Sequence, residues 1–549
     1  VFIVLRRLPD GGAELTPVGR PQPGTAPVVG ESVVVDEADL AMAVATREVE
    51  TSPRWVWDDT RRWYPRLLGL GVRVARCVDL RLCHALLRGS EATVGSELHG
   101  AAAGPYDVAQ AGVDDVAGLF EVVPESLPDP VGEFLRQRRA IESSPGRGGL
   151  ELLTTAESTG ALVACEMHHR GIPWSATVHD RLLTEALGPR PARGGERPVR
   201  MRDDVDEIRA ALGAPDLNPD SPADLLKVLQ RAGLGVASTS KWELRRHEHP
   251  VVEPLLRYKR RQRLLVANGW AWLDAWVRQG RFRPDYVPGG VVTGRWATSG
   301  GGALQLPKAV RAAVVADPGW TLVVADASQL EPRILTGLSR DVAMAAAGDG
   351  DLYEGIVASG AVATRAEAKV AMLGAMYGAT QGESGRLVPR LARRFPKAME
   401  YVEAAARTGE AGGVVSTLLG RSSPRPGEAV AADLPPEMDR GPVGRDARAW
   451  GRFTRNFVVQ GTAAEWALCW MGATRAALHE RFAGRGEGAP HLVFFLHDEI
   501  VVHSPADVAD EVVAIVEQSA VAAGRLLFGE APVRFPVTVA VVDDYSQAK

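Results

Sequence analysis

Cysteine is scarce in this chain of 549 residues: four in all, Cys77, Cys83, Cys165 and Cys469, scattered without the close spacing of metal-ligand pairs. That scatter excludes a zinc site or a disulfide framework as the organising device and suits a reduced, cytoplasmic setting. No apolar run approaches the roughly 18 residues of a membrane-spanning helix, and no leader-like pattern opens the sequence, so no membrane partner is expected. No internal repeat is visible. Neither sign of charge dominates: 63 Lys and Arg against 68 Asp and Glu give a net charge of −5. That balance excludes little, because phosphates respond to locally clustered cations.

Hydrophobic residues make up 46% of the chain, enough for large cores, and the length exceeds that at which single cores divide. Residues 1 to 142 open with the strand-like runs VFIVLRRL and ESVVVDEADL, followed by the Trp- and Arg-rich stretch RWVWDDTRRWYPRLLGLGV. ESSPGRGG, 142 to 149, reads as a linker, and the apolar-periodic stretch after it as a helix ended by Gly171. Ser221, Pro222 and Gly233 mark the two ends of a short helix. The most basic stretch, LLRYKRRQRLL at 255 to 265, would as a helix carry Arg257, Arg260 and Arg261 to one side, as phosphate contacts or as a merely solvated face. From about 290 onward strands and helices alternate, an α/β pattern.

Four stretches carry candidate chemistry. WTLVVADASQLEPRI predicts a buried strand at 321 to 325, a turn, and a helix that tolerates Pro332 in its first turn. Asp326 at the strand end could be only a helix cap. HLVFFLHDEIVVHS, 491 to 504, predicts a hairpin with His497, Asp498 and Glu499 at its tip between apolar arms. If Asp326 and Asp498 meet in space, they form a hard-oxygen site suited to Mg²⁺, and two such ions about 4 Å apart clamp an in-line phosphoryl displacement. In TRAEAKVAMLGAMYGAT, Arg365, Lys369, Leu373 and Tyr377 recur every four residues along one helical stripe. Two cations, an apolar residue and an aromatic suit a nucleoside triphosphate, unless the cations are simply solvated. Arg452, Asn456 and Gln460 form a second such row, able to reach minor-groove acceptors that are alike in every base pair.

Taken together, these stretches resemble family A DNA polymerases, the group of bacterial DNA polymerase I. DASQLEPR resembles that family's first palm motif, RAEAKVAMLGAMYG its finger helix and FLHDE its last palm motif; TGRWATSGGGALQLP, 293 to 307, resembles its template-primer loop and TLLGR, 417 to 421, a finger-to-palm segment. The order holds over about 160 to 549. The resemblance implies a multidomain α/β and α+β chain: an RNase H-like, exonuclease-like domain over 1–142, a linker and the start of the polymerase region over 143–200, then a right-hand polymerase. Its thumb would span 201–289, its palm 290–340 and 426–549, and its fingers 341–425.

It further implies two Mg²⁺ ions (Mn²⁺ as a substitute) on Asp326 and Asp498, with Glu499 in support. Arg365 and Lys369 would hold the triphosphate, Lys369 also acting as general acid. Leu373, Tyr377 and Gln329 would lie at the nucleotide, and Glu331 would exclude a 2′-hydroxyl. Arg295, Gln305, Arg421, Arg452, Asn456, Gln460, His497, Arg260 and Arg261 would touch primer-template DNA. The implied protein is a monomeric, bacterial, nucleoid-associated enzyme that takes dNTPs in repair or gap filling. A non-catalytic DNA-binding relative, or a polymerase with an active 3′–5′ exonuclease, is the alternative.

Departures from the family pattern sharpen the expectations. Ala327 stands where Tyr is frequent, Pro332 where Leu is usual, Ala366 where a second Arg is found, and Leu373 where Phe or Tyr stacks on the nucleotide; altered sugar discrimination follows. In the first domain Asp58 or Asp59 and Asp79 fall near exonuclease motifs. However, no Asp-x-Glu occurs in 1 to 150, only the reversed Glu37-x-Asp39, and no Tyr-x-x-x-Asp, so proofreading is expected to be lost.

Overall fold

Strand β1 (Phe2–Arg7) alternates as a strand buried on both faces must. Ile3 and Leu5 pack with Trp55, Trp57 and Tyr64, whereas Phe2 and Val4 pack with Val56, Leu80 and Phe134. With β2 (Ala13–Val18), β3 (Val33–Val35), β4 (Arg54–Trp57) and β5 (Arg76–Asp79) it forms a five-stranded sheet in the order β3-β2-β1-β4-β5. The first three strands pair antiparallel and β1, β4 and β5 pair parallel. The computed structural model describes residues 1–19, 27–107, 129–379, 381–426 and 447–548. It divides into two units: Val1–Gly171, Pro284–Leu304 and Gly319–Val541 in the first, and Ile172–Arg283, Gln305–Pro318 and Val542–Lys549 in the second.

The stretch 142–149 joins the helix Pro130–Glu142 to its successor within one unit. It is a turn into the helix Arg147–Arg170, which ends at Gly171 as expected but places Leu162 and Cys165 in the core of the N-terminal sheet. Apolar residues on that helix outweigh the local Pro and Gly signal, and the change of unit falls after Gly171, inside the 143–200 segment. Glu166 on the same helix receives Tyr64, Arg73 and Arg475. Arg475, on the long helix Ala447–Phe482, also donates to the carbonyls of Val74 and Ala75. One buried cation thereby ties the N-terminal sheet to the longest helix among the described residues.

The second unit has a short sheet of β6 (Ile172–Pro173), β7 (Val277–Arg278) and β8 (Arg281–Phe282) in the order β6-β8-β7. Its core is helical, with Leu183, Ile208, Leu229, Leu255 and Tyr258 among its buried residues. Ser221 caps the helix Pro222–Arg231 as its sequence predicts, accepting from the Asp224 amide. The basic stretch forms the helix Val252–Asn268. It is not a uniform cationic face, because Arg257 and Arg261 both reach back to the buried Asp204.

In the first unit β9 (Asp285–Val287) pairs with β10 (Ala297–Gly300). A four-stranded sheet of β11 (Trp320–Ala327), β12 (His491–Leu496), β13 (Glu499–Pro505) and β14 (Val537–Val542) follows, in the order β12-β13-β11-β14. Strand β11 outruns its apolar stretch at both ends, because its ladder to β13 continues through Asp326. No helix among the described residues is long and apolar enough to cross a membrane.

Candidate active site

Strands β11 and β13 run antiparallel, with Asp326 opposite Glu499 at the end of the ladder. The next rung is made by the Ala327 amide, which donates to the Asp498 carbonyl at 2.8 Å. Two acids 172 positions apart in sequence (326 and 498) thus lie on adjoining rungs. Strands β12 and β13 are joined by His497 and Asp498 alone, with Leu496 paired to Glu499. Such a tight turn needs a left-handed residue, and His497 supplies it at φ 56°. Asp498 is exposed, Asp326 half-buried and Glu499 buried. Among the described residues no three His, Cys, Asp or Glu side chains gather into a ready-made metal cage. One carboxylate at a strand end and one in the adjoining turn, offering oxygen donors only, would fit Mg²⁺, which keeps its other positions for water and phosphate oxygens.

A cleft beside these acids is lined by Arg295, Trp296, Leu330, Glu331, His497 and Asp498, among others. Glu331 stands in the first turn of the helix Leu330–Ser339, and its carboxylate is ion-paired with Arg295. Burial, reinforced by the Arg295 charge, pushes the His497 imidazole down to about 4, so it is neutral at physiological pH. Gly294 has φ 84°, and a Cβ there would meet the Arg421 guanidinium at 2.6 Å, so only glycine lets the loop turn at that point.

The finger-like helix Arg365–Tyr377 starts with a capping box between Thr364 and Glu367. Its stripe lies as its spacing predicts: Arg365, Lys369 and Leu373 are exposed, and Tyr377 is half-buried and receives Gln460 at 3.2 Å. Arg365 donates to Asp351 at 2.8 Å and lies 5.4 Å over the Tyr353 ring. Asp351 also accepts from Gln329. Gln329, left-handed at φ 52°, receives Arg333 and the Leu352 amide on its side-chain oxygen. Arg333 is buried, its guanidinium satisfied by the carbonyls of Ser328, Gly348, Gly350 and Arg534. The turn after Asp326 is therefore held by a network that reaches Arg365.

The second polar row divides. Arg452 is exposed, but Asn456 and Gln460 are buried. Gly461 brings their helix against the TLLGR segment, since a Cβ there would meet Thr417 at 2.4 Å. Arg421, a residue expected at DNA, pairs with Glu157 in the interior, where that buried carboxylate requires a countercharge. Arg261 is likewise held by Asp204, and by the carbonyls of Ala186 and Arg200. Arg260 and Gln305 are exposed, in the second unit.

Sequence reasoning passed over Asp351, Tyr353, Arg333, Glu157 and Glu465. Asp351 and Glu354 carried a helix-start signal, and Asp351 does cap the helix Leu352–Ala358. Its second task, holding Arg365, lies 14 residues away and leaves no periodic trace.

Residues 198–546 match the family DNA polymerase family A. The chain is 26% identical over 421 residues to a DNA polymerase I of Chloroflexus aurantiacus, covering 68% of this chain and 41% of that protein. It is 28% identical over 325 residues to a thermostable DNA polymerase I of Thermus filiformis, covering 53% and 36%. It thus spans about two fifths of the length of these curated relatives. A solved structure of the POL domain of Pol1 from M. smegmatis, in complex with DNA primer-template and dNTP, matches with a TM-score of 0.68 at 20% identity, over 98% of this chain and 93% of that one. The matched span is well over half the chain, and the chain belongs to DNA polymerase family A.

Proposed function

We propose that the protein is a template-directed DNA polymerase that adds deoxynucleotides to a primer 3′ end, in repair or gap filling and without proofreading. The observation that carries this reading is the placement of Asp326 and Asp498 on adjoining rungs of β11 and the β12–β13 hairpin. These two carboxylates would hold divalent ions, Mg²⁺ by their chemistry, which when bound favour ionisation of the primer hydroxyl and offset phosphate charge.

The chain's own groups do the rest. Arg365 and Lys369, exposed on one stripe, bind and orient the triphosphate, and Lys369 can pass a proton to the departing pyrophosphate. Tyr377 and Leu373 line the base and sugar end of the same stripe. Glu331, held by Arg295, presents bulk and charge where a ribose 2′-hydroxyl would sit. His497, neutral at physiological pH, offers hydrogen bonds to the primer end without adding charge. Arg452 is placed to meet the duplex. A polymerase domain solved with primer-template and dNTP shares this fold.

In the N-terminal domain the strand order β3-β2-β1-β4-β5 supports an RNase H-like, exonuclease-like reading. The acids near its former motifs have other work. Asp59 caps one helix and binds Arg81, Asp79 caps another and accepts from the Thr60 amide, and Asp58 binds Trp63 and Arg62. Strand β1 carries no carboxylate at all. Two assays test the proposal. Primer extension in Mg²⁺ should proceed with dNTPs and poorly with rNTPs; no extension with either overturns it in favour of a non-catalytic DNA-binding relative. A mismatched primer held in Mg²⁺ without nucleotides should stay intact, and its shortening would overturn the loss of proofreading.

A further inference from the structure

Arg365 is exposed, yet it is not idle. Its guanidinium makes two hydrogen bonds to one oxygen of Asp351, at 2.8 and 3.3 Å, with Glu354 3.8 Å away and the Tyr353 ring beneath. The other Asp351 oxygen caps the helix Leu352–Ala358 by accepting from the Glu354 amide, so the carboxylate is fixed in place before Arg365 arrives. The oxygen that holds Arg365 also accepts from Gln329 at 2.9 Å, three residues after Asp326. Asp351 therefore offers Arg365 an anionic oxygen of the kind a phosphate would offer, and does so from a rigid mount.

We propose that Asp351 is a positioning residue that parks Arg365 in the nucleotide-free enzyme and competes with the triphosphate for it. The inference rests on the assignment of Arg365 to the triphosphate. An incoming nucleotide exchanges one oxyanion partner of Arg365 for another, and in doing so releases one of the bonds that Asp351 shares with Gln329 and the turn after Asp326. Burial opposes the ionised form of Asp351, but the hydrogen bond and charge of Arg365 hold its carboxyl below the ordinary range, so it stays charged and competing at neutral pH. The competitor lowers nucleotide affinity and gives Arg365 a defined resting place, so that a ligand too short to reach it leaves the network undisturbed.

The test uses the full chain with Asp351→Asn and Asp351→Ser, both of which keep a helix-capping oxygen while removing the charge. Equilibrium binding of dATP, which requires no turnover, should tighten by about two- to fivefold in both variants, the range an exposed ion pair supports. The gain should shrink in high salt and vanish in Asp351→Glu, and in primer extension it should appear in KM with kcat little changed. Unchanged or weaker dATP binding by a folded variant overturns the proposal, and so does a parent protein that binds no dATP. A parent that binds dATP without extending a primer refutes the polymerase assignment instead, and the binding comparison still decides the role of Asp351.

Discussion

Glu465 lies in the middle of the Ala447–Phe482 helix, 1% exposed, with its carboxyl turned to the TLLGR segment. One oxygen meets the Thr417 hydroxyl and the other accepts from the Leu419 amide at 3.2 Å. Burial pushes its pKa up to about 7, despite the Thr417 bond and the Arg421 charge, and the neighbouring Glu157 adds to the rise. Each pKa step of one corresponds to about 1.4 kcal/mol, so the climb from 4.5 amounts to roughly 3 kcal/mol. The sign follows from proton binding. Between 4.5 and about 7 the folded chain holds a proton that the unfolded chain has lost, so the stability this group confers is complete below 4.5 and is lost as pH rises through 7. Glu465→Gln mimics the protonated acid: its amide donates to Thr417 and its oxygen accepts from Leu419. The variant should therefore be more stable than the parent by roughly 3 kcal/mol at pH 8, with the gap closing as pH falls to 4.5. Calorimetric melting of both proteins across that range measures it. A variant that melts lower at pH 8, or a gap that ignores pH, would refute the reasoning.

Other expectations follow from the same geometry. Arg475→Met leaves Glu166 with Arg73 and Tyr64 alone and strips the Val74 and Ala75 carbonyls of their donor, so it should cost about 2–4 kcal/mol in denaturant unfolding; a loss below about 1 kcal/mol would show the buried Arg475 to be dispensable. Leu373→Phe should change the ratio of dideoxynucleotide to deoxynucleotide incorporation, and identical ratios would remove Leu373 from sugar selection. Because burial and Arg295 keep His497 neutral above about 4, the extension rates of the parent and His497→Gln should keep a constant ratio from pH 6 to 8. A step in that ratio near pH 6.5 would show the imidazole titrating in the wet range.

What the sequence made legible was local and periodic. The period-four spacing of Arg365, Lys369 and Leu373 became a helix with those residues outward, and the apolar arms around His497 became a two-residue hairpin. Ser221 with Pro222 gave a helix start correct to the residue. What stayed hidden was decided by partners far away in the chain. Arg421 could be recognised as a cation, but its pairing with Glu157, 264 residues distant, obeys no spacing rule. Arg261 reads like its exposed neighbour Arg260 until Asp204 is placed beside it. The Pro and Gly of 142–149 signalled a break in helix correctly, yet a break in helix is not a boundary between units when the next helix is apolar enough to join the same core.

The proposed function requires that Asp326 and Asp498 together support phosphoryl transfer. It is tested most directly by single-turnover addition of one deoxynucleotide by Asp326→Asn and Asp498→Asn, with primer-template binding measured on the same preparations. Each variant should lose about a thousandfold or more in rate, while DNA affinity, set largely by cations on phosphates, stays within a few-fold of the parent. Incorporation by either variant within about tenfold of the parent rate would be far too little loss for a site of this kind and would contradict the account.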